Sequence, residues 1–68
     1  MAENKKVIVV YKQGKEIGYI KSISYKYNSF ETTLRKEEAK KYIKESRIYD
    51  ELDFLSRFIE VGYNFSYM

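Results

Sequence analysis

Sixty-eight residues with no histidine, cysteine, tryptophan or proline, but with eight tyrosines, leave few routes to enzyme chemistry. Histidine is the side chain that titrates nearest neutrality and cysteine the ready thiolate nucleophile and soft ligand, so a triad, a zinc site or a redox pair has nothing to be built from. Thirteen Lys and Arg against ten Asp and Glu give a net charge of +3, which favours solubility and is too small to define a nucleic-acid binder.

A chain this short makes a single domain over residues 1–68, burying only about 60% of its unfolded surface. With 44% hydrophobic residues it reads as globular despite 34% charged ones. No disulfide or zinc can staple it, so large apolar groups must hold a thin core, or copies of the chain must self-associate. No apolar run reaches the length of a membrane span, and Met1-Ala2-Glu3-Asn4-Lys5-Lys6 precedes an apolar stretch too short for a signal peptide. The expectation is a cytoplasmic protein with no membrane partner, no metal and no cofactor.

Val7-Ile8-Val9-Val10-Tyr11 is a β-branched and aromatic run too short for a helix, and it predicts a first strand buried on both faces. Gln13-Gly14 follows, with glycine supplying the positive φ of a tight hairpin turn. A second strand is predicted over residues 16–24, with Ile17, Tyr19 and Ile23 on one face and Gly18, Ile20 and Ser22 on the other. Gly18 inside it marks a bulge or a close backbone approach. Ser29-Phe30-Glu31-Thr32-Thr33 reads as a short third strand.

Thr33 is placed to cap a first helix over about residues 34–44, whose Ala39, Tyr42 and Ile43 form one narrow apolar stripe among Lys36, Lys40, Lys41 and Lys44. Residues 45–49 break that pattern. Asp50 then caps a second helix with a broad apolar face of Leu52, Phe54, Leu55, Phe58, Ile59 and Val61, ended by Gly62 in the left-handed conformation. The last strand alternates clearly, with Tyr63, Phe65 and Tyr67 on one side and Asn64, Ser66 and Met68 on the other. It is expected to pair within the sheet and close over Phe54, Leu55 and Phe58. The order β-β-β-α-α-β predicts an α+β fold: a small antiparallel sheet with two helices packed on one face.

Three constellations invite a chemical reading. Asp50, Glu51 and Asp53 crowd a helix start, where acids favour the positive dipole end, and capping outweighs a paired-carboxylate or metal site. Lys12-Gln13-Gly14-Lys15 lacks the glycine spacing and following helix of a phosphate loop and reads as a hairpin. The segment from Lys21 to Phe30 interleaves Tyr25, Tyr27 and Phe30 with Lys21 and Lys26, a pattern single-strand binders use, although aromatic rings also fill thin cores. Tyrosine loses little side-chain entropy on contact and keeps a polar tip, and eight of them exceed what so small a core can hide. Lys21, Tyr25, Lys26, Tyr27 and Phe30 are therefore the candidate partner-binding residues, for a protein first and nucleic acid second.

Half of the residues are Phe, Tyr, Met, Ile, Asn or Lys, whose codons are AT-rich. The hairpin through Lys21-Ser22-Ile23-Ser24-Tyr25 and Ser29-Phe30-Glu31-Thr32-Thr33, followed by Lys36-Glu37-Glu38-Ala39-Lys40-Lys41-Tyr42, resembles small uncharacterised accessory proteins of staphylococcal and related Gram-positive phages. The likeness covers about the first two thirds of the chain. It implies an accessory role with no catalytic residues to carry over, exercised in a bacterial host by binding a host protein or a defence nuclease such as a CRISPR effector. The positive charge argues against mimicry of DNA, which needs phosphate-like negative charge.

Overall fold

The β-branched run forms the strand on which the rest of the sheet is assembled. A computed structural model describes residues 5–68; residues 1–4, part of the segment weighed against a signal peptide, lie outside the described residues. Strand β1 (Ile8–Lys12) pairs antiparallel with β2 (Lys15–Ser24) on one side and β4 (Tyr63–Tyr67) on the other, and β3 (Ser29–Thr33) pairs with β2, giving the sheet order β3-β2-β1-β4. Val7, Ile8, Val9 and Val10 are all at most 3% exposed, so β1 is covered on both faces, as its unbroken apolar run predicts. Gln13 and Gly14 both take positive φ, 50° and 83°, the backbone that a two-residue hairpin of the right twist requires.

Strand β2 does not keep the simple alternation expected of it. Ile17, Ile20 and Ile23 all join the core, because two register shifts interrupt the strand, one opposite Val10 and Tyr11 and one between Ile20 and Ser22. Each extra residue reverses the side-chain phase and bends the strand. Gly18 is needed between them: its φ is +146°, and a Cβ there would come within 2.6 Å of the Thr33 carbonyl oxygen. Side chains of the two edge strands meet over one face of the sheet, where the Phe30 ring on β3 lies 5.3 Å from Tyr63 and 5.6 Å from Phe65 on β4.

The fold is α+β with a four-stranded antiparallel sheet, but it carries one α-helix where two were expected. The predicted first helix is a single 3-10 turn, Lys36–Glu38, followed by extended chain. Thr33 does not cap it: the Thr33 hydroxyl accepts from the Arg35 amide and donates to Glu38. The Lys40 amide donates to the Ile20 carbonyl, and Tyr42 exchanges two 2.8 Å backbone hydrogen bonds with Lys6. These pairings satisfy the backbone that a lysine-crowded helix with one narrow stripe would otherwise have to satisfy itself, at the cost of nucleation.

The helix that does form, α1 (Glu45–Leu55), begins earlier than Asp50 and runs through the residues read as a break. Ile48, Phe54 and Leu55 bury against Ile8, Val10 and Ile20, so the true stripe starts at Ile48. Asp50 and Asp53 are exposed within the helix, and capping does not explain them. A 3-10 segment, Ser56–Val61, continues from α1 and ends at Gly62 with φ 100°, the predicted left-handed terminator. Phe58 of this segment packs on the core, whereas Ile59 and Val61 are half exposed or more. Strand β4 then runs along β1 without a register shift, its aromatic side turned to the core, as expected. No helix among the described residues is long and apolar enough to cross a membrane.

Candidate interaction site

Strands β2 and β3 are joined by residues 25–28, a turn closed only by two long hydrogen bonds of 3.4 Å, from the Asn28 amide to the Tyr25 carbonyl and from the Tyr27 amide to the Ser24 hydroxyl. Side chains do more to hold it. Asn28 takes a positive φ of 51°, which asparagine tolerates better than most residues, and its Oδ1 accepts a 2.7 Å hydrogen bond from Arg57. The Tyr25 ring meets Phe54 edge-on at 4.6 Å. Arg57 lies in turn 4.4 Å from the Phe54 ring centroid, so the turn is anchored to the end of α1 through one aromatic ring and one guanidinium.

Of the five residues expected to bind a partner, Tyr25, Lys26 and Tyr27 come together in this turn. Tyr27 is the most exposed of the tyrosines at 72%, and the Lys26 ammonium stands 5.4 Å from its ring centroid. Lys21 is exposed at the second β2 bulge, and its ammonium makes no hydrogen bond or ion pair among the described residues. Phe30 turns inward, meeting Phe58 at 4.9 Å as well as Tyr63 and Phe65, so it serves the core and the wall of a groove rather than an outer surface.

That groove is the feature sequence reasoning missed. A cavity of about 260 Å³, open to solvent, is lined by Ile17, Asn28, Ser29, Phe30, Thr32, Phe58 and Tyr63. None of these is a carboxylate. Lys12 stands 4.5 Å from the Tyr63 ring centroid and Arg57 holds Asn28, so two cations flank the lining, and neither forms an ion pair among the described residues. The turn and the groove are continuous through Asn28, Ser29 and Phe30. Phe30 among the candidate residues and the aromatic spacing of β4 each point to part of this site, but its walls come from β2, β3, β4 and the segment before β4, which no local pattern brings together.

A second polar group sits inside the protein. Glu51 is 1% exposed, and its Oε1 accepts from Lys40 Nζ at 2.7 Å and from the Tyr42 hydroxyl at 3.1 Å, while Oε2 has no partner among the described residues. Burial raises the Glu51 carboxyl above its ordinary range; burial and the nearby charge of Arg47 lower Lys40; burial pushes Tyr42 up to about 12. Through these two hydrogen bonds the enclosed carboxylate joins residues 40–42 to α1. A related group lies at the surface, where the hydroxyls of Tyr67 and Tyr49 reach Glu45 Oε2 at 2.9 and 3.3 Å.

No protein-family model matches the chain, and no curated protein and no solved structure matches it either.

Proposed function

We propose that this chain acts by binding another protein and has no reaction of its own. The observation that carries this reading is the continuity of an exposed tyrosine turn, Tyr25 and Tyr27, with an open aromatic groove flanked by Lys12 and Arg57. Such a surface combines large rings, polar tips and unpaired cations, the composition of interface hot spots. The resemblance to Gram-positive phage accessory proteins makes the partner a host protein or defence nuclease, reached in the cytoplasm of the host cell. Single-stranded nucleic acid is the competing partner for Lys21, Tyr25, Lys26 and Tyr27, although the Lys26 ammonium already stands over the Tyr27 ring on which a base would stack.

Affinity capture from a Gram-positive host lysate, with and without nuclease treatment, tests the reading. The expected result is a protein that survives nuclease and is lost when Tyr25 and Tyr27 are both changed to Ser, with no change in the circular dichroism of the variant. A signal that vanishes with nuclease, or retention that ignores both tyrosines and the groove, overturns it.

A further inference from the structure

The backbone beside the groove has the phase to accept another strand. Val7 and Met68 exchange two 3.0 Å hydrogen bonds, and Gln13 donates to the Gly62 carbonyl at 2.8 Å, so along β4 the residues that bond to β1 are Asn64, Ser66 and Met68. In an antiparallel ladder the alternate residues, Tyr63, Phe65 and Tyr67, direct their N–H and C=O groups the other way, toward an edge that pairs with no strand among the described residues. Strand β4 carries no proline, no lysine and no bulge, the devices that usually protect an edge from pairing. Tyr63 belongs both to this edge and to the lining of the cavity.

The cavity suits one or two side chains. Its volume of about 260 Å³ lies below the roughly 300–1,000 Å³ typical of small-molecule sites. Phe30 meets Phe58 and Tyr63 at interplanar angles of 79° and 83°, edge to face, so the three rings of the cavity wall are not parallel platforms for successive bases; the near-parallel pair, Tyr63 and Phe65 at 16°, lies along β4 with centroids 6.2 Å apart. Lys12 and Arg57 flank a lining without carboxylates, which favours negative charge on whatever enters.

Resting on the reading of this chain as a protein binder, we infer that the occupant is an extended acidic peptide segment of the partner. It adds as a strand to the outer edge of β4, drops one apolar side chain into the cavity between Phe30, Phe58 and Tyr63, and sets Asp or Glu residues on either side against Lys12 and Arg57.

Selection of a short random-peptide display library on the full chain tests this, followed by titration of the strongest synthetic peptide into the ¹⁵N-labelled protein. The expected consensus is an apolar residue flanked by acids, with amide shifts concentrated at Tyr63, Phe65 and Tyr67 and in β3. Charge reversal by Lys12→Glu with Arg57→Glu should weaken binding about tenfold or more. N-methylation of alternate peptide amides, which leaves the protein untouched, should abolish it. A library without enrichment, a consensus lacking acids, shifts confined to the outer face of α1, or displacement of the peptide by an oligothymidylate at equal concentration overturns the inference. If the peptide arm fails while nuclease-resistant capture through Tyr25 and Tyr27 persists, the binding reading stands and the strand-addition inference alone is lost; if both fail, the reading falls with it.

Discussion

Glu45 and Glu51 stand on the same helix and each accepts a hydrogen bond from tyrosine, yet one group lies at the surface and the other inside the protein. Around Glu45, water can replace Tyr49 or Tyr67 whenever either hydroxyl leaves. Around Glu51 it can do so only from the side where Lys40 stands, because the residue is 1% exposed and one carboxylate oxygen is already without a partner among the described residues. The same donors and acceptors therefore carry different energetic weight, set by the desolvation that must be recovered if a partner is lost.

The largest expected effect follows from stranding the buried carboxylate. Breaking a buried pair costs about 3–5 kcal/mol, but the Lys40 side chain is 37% exposed and water can enter where it stood, which brings the expectation for Lys40→Ala to about 1–2 kcal/mol in urea unfolding. Replacing the whole group by apolar residues of similar volume, Lys40→Met with Tyr42→Phe and Glu51→Leu, should restore most of that loss. A triple variant less stable than Lys40→Ala would show that the polar contacts contribute more than their desolvation cost.

A smaller effect is expected from pH. Because burial raises the Glu51 carboxyl, the folded chain holds that proton to higher pH than the unfolded chain does. The associated stability is complete below the unfolded carboxyl's ordinary value of 4.5 and is lost as pH rises through the raised folded value. Relative to Glu51→Gln, the wild-type chain should gain stability as pH is lowered from neutral toward the unfolded value of 4.5, by at most about 1.4 kcal/mol per pH unit. A difference that stays flat across that window would place the Glu51 carboxyl at its unfolded value.

The smallest effect belongs to the surface group. Tyr49→Phe should leave the unfolding midpoint unchanged, since both hydroxyls have water as an alternative. It should nevertheless move the Tyr67 phenol back toward its ordinary value, because hydrogen bonds to Tyr49 and Glu45 are what raise it. Ultraviolet titration of tyrosinate reads this directly, and an unmoved Tyr67 would mean that Glu45 alone holds its proton.

Legibility in the sequence followed the range of the interaction. The Gln13-Gly14 hairpin, the third strand over Ser29–Thr33, the Gly62 terminator and the alternation of β4 were all readable, because each is decided by neighbouring residues or by a period of two. The start of helix α1 is six residues earlier than its sequence suggests: its first turn lacks a side-chain cap, and the charged residue on its inner face, Glu51, breaks an apolar pattern that in space continues from Ile48. The predicted helix over residues 34–44 failed for the converse reason, since its backbone partners, Lys6 and Ile20, are remote in sequence. Among the candidate binding residues, the turn of Tyr25, Lys26 and Tyr27 was legible as a unit, whereas the inward turn of Phe30 was not.

What the amino-acid pattern determined by itself is a short, basic, tyrosine-rich α+β chain whose turns and strands are written locally. The irregularity of β2 at Gly18 was also legible, whereas tertiary structure alone decided that Lys40 and Tyr42 would meet a buried Glu51, and that Phe30 and Tyr63 would face each other across a groove. The reason is geometric: a bulge adds one residue to one strand and reverses its side-chain phase, so which side chains of the two edge strands meet depends on every pairing between them.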